Sequence, residues 1–195
     1  MVHFKSTRST VALIIVGIMV AIAFNPFIDT IAWRYPANTN LSNIEYYYYG
    51  EAVQNILGLS VSNNGDVNGD HRADIVFGAY NFTDGGDPGT GKFYIVLGKE
   101  PGKYGATAHN ATDADASFIG EDGNDNLGYS VDIAGDVNGD GYDDIIVGAP
   151  NLKGDRTGKA YLIFGRSSGW AKNDSAKKAN VTFTGNTWGT WRGIA

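Results

Sequence analysis

The feature that most constrains this chain is that it repeats itself. At an offset of 70 residues, Tyr48-Tyr49-Gly50-Glu51 aligns with Phe118-Ile119-Gly120-Glu121, and Leu57-Gly58-Leu59-Ser60-Val61 with Leu127-Gly128-Tyr129-Ser130-Val131. The same register pairs Gly65-Asp66-Val67-Asn68-Gly69-Asp70 with Gly135-Asp136-Val137-Asn138-Gly139-Asp140, and Asp74 to Ala79 with Asp144 to Ala149. Across residues 48–80 and 118–150, 16 of 33 positions are identical, too many for chance similarity between loops. Shortening the offset to 67 matches Thr90-Gly91-Lys92 through Gly98 with Thr157-Gly158-Lys159 through Gly165. The slip falls in a Gly/Asp loop, where insertions cost little. A third unit opens at Val181-Thr182-Phe183-Thr184-Gly185 and runs toward Trp188-Gly189.

Within a unit the segments are short, rich in β-branched and aromatic residues and bounded by turn residues, which is the pattern of small antiparallel strands. In the second unit strands are expected near Ala116–Ile119, Gly128–Ile133, Asp144–Val147 and Lys159–Phe164. Four such strands make one blade of a β-propeller, in which radial repetition protects sheet edges. The expected fold is therefore all-β, with two complete four-stranded blades and the start of a third. The chain is expected to divide into residues 1–23, a linker 24–44, a first repeat 45–115, a second 116–180 and a truncated third 181–195. Gly78-Ala79 and Gly148-Ala149 lack bulk, as required where backbones of adjacent blades approach closely. The run Tyr46 to Tyr49 reads as an outer strand with alternate rings turned inward. The stretch Gly85 to Gly91 lacks the Lys-Ser/Thr ending of a phosphate loop and reads as a hairpin or loop.

The acidic loops carry the chemistry. Asp136, Asn138, Asp140 and Asp144 stand at positions 1, 3, 5 and 9, with the carbonyl of Tyr142 at position 7. Alternate spacing turns several oxygens inward, and Ca²⁺ takes ~6–8 oxygen ligands. The first copy offers Asp66, Asn68, Asp70, the carbonyl of Arg72, and Asp74. Its position 6 is His71 where Gly141 stands in the second, and His tolerates positive φ better than most residues. An EF-hand would need an acidic residue at position 12 and flanking helices. Position 12 is Phe77 or Val147, and both loops run directly into apolar β-branched segments. Two Ca²⁺ sites in strand-connecting loops are therefore expected, one per repeat, in preference to an EF-hand or a metal-free Asp/Asn turn.

These residues resemble FG-GAP repeats, the blades of the integrin α-subunit propeller and of similar extracellular propellers in microbes. The likeness rests on Leu127 to Val131, the Asp136 to Asp144 loop, Val147-Gly148-Ala149-Pro150 and Gly158 to Gly165, and covers roughly residues 45–195. Tyr80, in place of Pro150, and His71, in place of Gly, depart from the pattern. The resemblance implies a propeller of about seven blades with structural Ca²⁺ between the first and second strands of a blade. It further implies a non-enzymatic module for cell adhesion or binding of an extracellular protein or glycan ligand, with the remaining blades supplied by a longer parent chain. FG-GAP repeats also accompany a phospholipase D, so an accessory module of an exported hydrolase is the alternative.

The N-terminus fits export. His3, Lys5 and Arg8 precede the uncharged run Val11 to Phe24, which ends in Ala21-Ile22-Ala23, a cleavage cue. If the apolar segment continues across residues 11–33 it approaches a membrane anchor. Either reading places the repeats outside the cytoplasm, secreted or at the cell surface. Asn-x-Ser/Thr sequons at Asn40, Asn81, Asn110, Asn173 and Asn180 offer glycosylation acceptors. A net charge of −6 argues against nucleic acid as a partner, since that affinity comes from Lys and Arg. The absence of Cys excludes a disulfide framework. Only His3, His71 and His109 are available as bases, and no nucleophile with an oriented base can be assembled around them. Trp170 with Lys172, Lys177 and Lys178 reads as a solvated inter-blade loop.

Overall fold

The computed structural model describes residues 47–52, 54–100, 103, 108–153 and 157–185. The signal or anchor segment 1–23, the linker 24–44, Asn40 and Trp188-Gly189 lie outside the described residues. Among the described residues no helix is long and apolar enough to cross a membrane. Eleven strands and two single-turn 3₁₀ helices account for the regular structure there, in line with the all-β reading.

Strands β2 (Leu57–Gly65), β3 (Asp74–Ala79), β4 (Lys92–Val96) and β6 (Ala116–Ile119) form one antiparallel sheet in that spatial order. Strands β7 (Ser130–Gly135), β8 (Asp144–Ala149), β9 (Lys159–Ile163) and β11 (Val181–Thr184) form the second. The grouping corrects one sequence expectation. Ala116–Ile119 does not open the second sheet; it closes the first, pairing Phe118 with Phe93 and Ile119 with Lys92. The Phe93 and Phe118 rings stack at 5.1 Å between centroids, which fixes that register. Each sheet thus takes its outer strand from what the alignment places at the head of the following unit. Residues 120–129 then carry the chain back to the inner edge of the next sheet.

Two short parallel pairs complete the strand pairing, one a separate two-stranded sheet and the other an addition to the outer strand of the first sheet. β1 (Tyr47–Tyr49) pairs with β5 (Ala108–Asn110), and β10 (Asp174–Ser175) with β6. Tyr48 turns inward, 5.5 Å from the Phe77 ring and stacked on His109 at 5.0 Å. The glycine-rich stretch is a tight turn in which Asp84 and Asp87 exchange backbone hydrogen bonds.

The central strands of the first sheet, β3 and β4, are buried on both faces, which explains why, Asp74 and Lys92 aside, they are continuous apolar runs rather than alternating ones. Ile75, Phe77, Tyr94 and Val96 face a cluster with Ala111, Ala114 and Tyr48. Val76, Phe93, Ile95 and Phe118 face the second sheet, where Val131, Ile145, Val147, Tyr161 and Ile163 complete the main core. The two sheets are in close contact at glycine. A Cβ on Gly78 would lie 1.9 Å from the Gly128 carbonyl oxygen, and the Gly128 N–H donates to Gly148 O at 3.0 Å. This is the close approach expected of Gly78. Trp170 is not simply solvated: its ring packs partly buried against the core, its Nε1 donates to Arg166 O at 2.9 Å, and the Arg166 guanidinium covers it at 4.4 Å. Burying the ring offsets more free energy than exposing it in a polar loop would.

Candidate metal centre

Both acidic segments are the loops that join the first two strands of a sheet, β2 to β3 and β7 to β8. Their backbone needs left-handed residues at the same places: Gly69 (φ 74°) and His71 (φ 62°) in the first, Gly139 (φ 78°) and Gly141 (φ 91°) in the second. His71 therefore adopts the conformation for which Gly serves in the second copy, at a steric cost that Gly141 avoids.

The acidic side chains wind each loop. Asp136 Oδ1 accepts from the amides of Gly139 (2.7 Å) and Asp140 (3.0 Å), and its Oδ2 from Gly141 (2.8 Å). Asp66 does the same with Gly69, Asp70 and His71 at 2.7, 3.0 and 2.6 Å. Asn68 and Asn138 accept from the amides of Asp70 and Asp140, which in turn accept from the amides of Arg72 and Tyr142. These bonds, led by the one from the Gly141 amide, hold the Asp136 carboxyl below its ordinary range.

The ninth residue is different in kind. Asp74 and Asp144 are fully buried. Asp74 spans two elements, accepting from Val67 N at 2.7 Å and from Gly98 N at 2.6 Å. Asp144 repeats this with Val137 N and Gly165 N, both at 2.9 Å. Burial pushes the Asp74 carboxyl up to about 6; the two amide bonds oppose the rise, and the neighbouring charges of Asp66 and Asp70 add to it.

The structure thus brings Asp66, Asn68, Asp70, Arg72 and Asp74 into one loop, and Asp136, Asn138, Asp140, Tyr142 and Asp144 into the other. Among the described residues no three or more Asp, Glu, His or Cys side chains close on one point as a metal-holding group. The carboxylates are engaged with amides, and the Arg72 guanidinium lies 3.3 Å from Asp70 and 3.4 Å from Glu100. The donor set itself suits a hard cation: each loop offers carboxylate, amide and carbonyl oxygens and no soft donor. Each engaged carboxylate oxygen also keeps acceptor capacity.

The FG-GAP repeat profile matches residues 60–96 and 127–163, spans that contain both loops and the strands on either side. The chain is an integrin alpha-like FG-GAP repeat protein. It is 35% identical over 116 residues to integrin alpha pat-2 of Caenorhabditis elegans, a stretch covering 53% of this chain and 9% of that one. Against integrin alpha-V of Gallus gallus it is 31% identical over 134 residues (67% and 12%), and against integrin alpha-6 of the same organism 35% over 136 residues (68% and 11%). The chain spans about a tenth of the length of these relatives.

In the first FG-GAP repeat Tyr80 sets its ring edge-on to Tyr129 at 5.2 Å, filling the place that Pro150 holds in the second. Each FG-GAP repeat also contains a polar cluster that motif reasoning passed over. Glu51 accepts from the Lys92 ammonium and, at 2.9 Å, from the Tyr94 hydroxyl. Glu121 likewise holds Lys159 at 3.1 Å and Tyr161 at 2.8 Å. Lys92, only 2% exposed, also lies over the Phe82 and Tyr94 rings. The signal was present: a Glu directly after Gly50 or Gly120, and a Lys at the head of an apolar strand, are retained in both copies. The Ser60 hydroxyl accepts from Val131 N at 2.8 Å and ties β2 to β7. His71 is 97% exposed in its loop, and His109 stacks on Tyr48.

Proposed function

We propose that these two repeats belong to a calcium-stabilised, non-enzymatic extracellular propeller for adhesion or ligand binding, of the kind the integrin alpha relatives suggest. What supports the reading most is the difference between equivalent faces of the two sheets. In the first, Val67 is 0% exposed and Val76 and Ile95 are buried by the second sheet. In the second, Val137 is 53% exposed, and Ile146 and Leu162 are only half-buried. The same sequence pattern therefore builds a face that one repeat covers in its neighbour, and the second repeat presents it for another.

Calcium in this reading is structural. It joins Asp66, Asn68, Asp70, the Arg72 carbonyl and Asp74 in one site, and Asp136, Asn138, Asp140, the Tyr142 carbonyl and Asp144 in the other. It offsets carboxylate repulsion where two strands meet. Ligand contact falls to loops elsewhere on the propeller. Arrays of extracellular proteins and glycans probed with the full chain test the reading. Capture in calcium that is lost in chelator is expected; no capture on either array would refute ligand binding, and equal capture in both conditions would refute the role of calcium.

A further inference from the structure

The two acidic loops are not separate. Asp143, at position 8 of the second loop, accepts from the Asp66 amide through Oδ2 at 2.7 Å, and its own amide donates to Asp66 O at 3.0 Å. Asp66 is position 1 of the first loop. Both of its backbone polar groups are therefore held by one residue of the next repeat, between Tyr142 and Asp144. The contact continues on both sides. The Tyr142 ring lies on Gly69, where a Cβ would stand 2.6 Å from Cε1, and Val67 O accepts from Arg166 N at 2.8 Å. Position 8 of the first loop is Ala73, which has no carboxylate with which to make the same bond.

We infer that Asp143 couples the two loops, so that Ca²⁺ held by one raises the affinity of the other. This rests on the calcium reading above. Binding at the second loop fixes the Tyr142 carbonyl and the Asp144 side chain, and so the backbone between them. Asp143 transmits that order to Asp66, whose carboxylate winds the first loop. Coupling free energy is reciprocal, so loading the first loop favours the second by the same factor. A factor of about fivefold, the low end for coupled sites, is expected from one reciprocal pair of hydrogen bonds.

Isothermal titration of the full chain with calcium tests this. Asp140→Ala disables the second loop and should weaken binding at the first about fivefold; Asp70→Ala should weaken the second loop by an equal factor. In an Asp143→Ala background both factors should fall to one. Ala at this position is what the first loop carries, so the loop tolerates it. Asp143→Asn, which keeps an oxygen acceptor for the Asp66 amide, should retain most of the coupling. As a readout without Asp143→Ala, calcium added to the Asp70→Ala chain should slow hydrogen exchange at the Asp66 amide. Two equivalents bound independently in the unaltered chain, a factor unchanged by Asp143→Ala, or unchanged Asp66 exchange overturns the coupling alone. No calcium bound to any variant overturns the calcium reading and the coupling with it.

Discussion

Position 9 and position 5 of the second loop should differ sharply when each is replaced by Ala without calcium. Asp144 is buried and accepts from Gly165 N, a buried bond, and from Val137 N, a partly buried one. A hydrogen bond to a charged group contributes ~1.5–3 kcal/mol, and a buried donor left unpaired costs ~1–3 kcal/mol. The Gly165 amide incurs most of that penalty, while the Val137 amide, on an exposed residue, recovers part of it from water. Asp144→Ala should therefore cost about 3–4 kcal/mol, which for a chain of this size lowers Tm by about 6–16 °C. Asp140 is exposed and its carboxylate serves the loop's own amide at Tyr142 and the Asn138 side chain. Water replaces those bonds, so Asp140→Ala should stay within the range of an ordinary surface substitution. Calcium at about 100 times its Kd stabilises by ~2.7 kcal/mol per site. Both variants should lose one site's share of that gain. The assay is urea and thermal unfolding of the full chain in chelator and in calcium. Equal losses for the two variants in chelator would refute the assignment of Asp144 as a buried strut, and a full calcium gain in Asp140→Ala would remove that residue from the ligand set.

Three further outcomes follow from the packing. Gly78→Ala places a methyl group 1.9 Å from the Gly128 carbonyl, where only backbone could give way, so it should cost at least about 3 kcal/mol in denaturant unfolding; a neutral result would mean the sheets are not in this contact. Lys92→Met leaves half-buried Glu51 without the ammonium of its buried partner and should cost about 3 kcal/mol, more than Lys159→Met, whose lysine is 23% exposed; adding Glu51→Gln should restore part of the loss. Burial raises the Glu121 carboxyl, but hydrogen bonds from Tyr161 and Lys159 outweigh it and hold the group below the carboxylate range. A depressed folded pKa stabilises above the unfolded value of ~4.3 and that gain fades as pH falls through the folded value. The stability gap between the unaltered chain and Glu121→Gln should therefore be full at pH 7 and shrink on acidification below about pH 4, measured by urea midpoints.

How much of this could be read beforehand depends on what a repeat encodes. The loop geometry was legible because Asp66 to Asp74 and Asp136 to Asp144 satisfy their own amides, so each copy carries its full set of instructions. Even the left-handed place of His71 followed from the Gly opposite it. The phase of the repeat was not legible in the same way. A period of 70 fixes the distance between equivalent residues but not where a sheet begins, and only the pairing of Phe118 with Phe93 shows that β6 closes the first sheet. The Glu51–Lys92–Tyr94 cluster stayed hidden for a related reason: Glu51 lies 41 residues before Lys92, and although both recur in the second copy, nothing local in the sequence joins them.

Positions where the copies differ carry the complementary information. Identity between copies marks what a repeat needs for itself, so Asp74 and Asp144 recur, each binding two amides of its own repeat. A difference at a point of contact instead marks what lies next to that copy. Ala73 against Asp143 is such a place, because Asp143 reaches back to Asp66 and not to its own loop. Val67 against Val137 makes the converse point: the residue is the same, and only the neighbour decides whether it is 0% or 53% exposed. Substituting Asp143 should therefore alter how the repeats act on one another while leaving the winding of its own loop to Asp136, whose three amide bonds do not involve it.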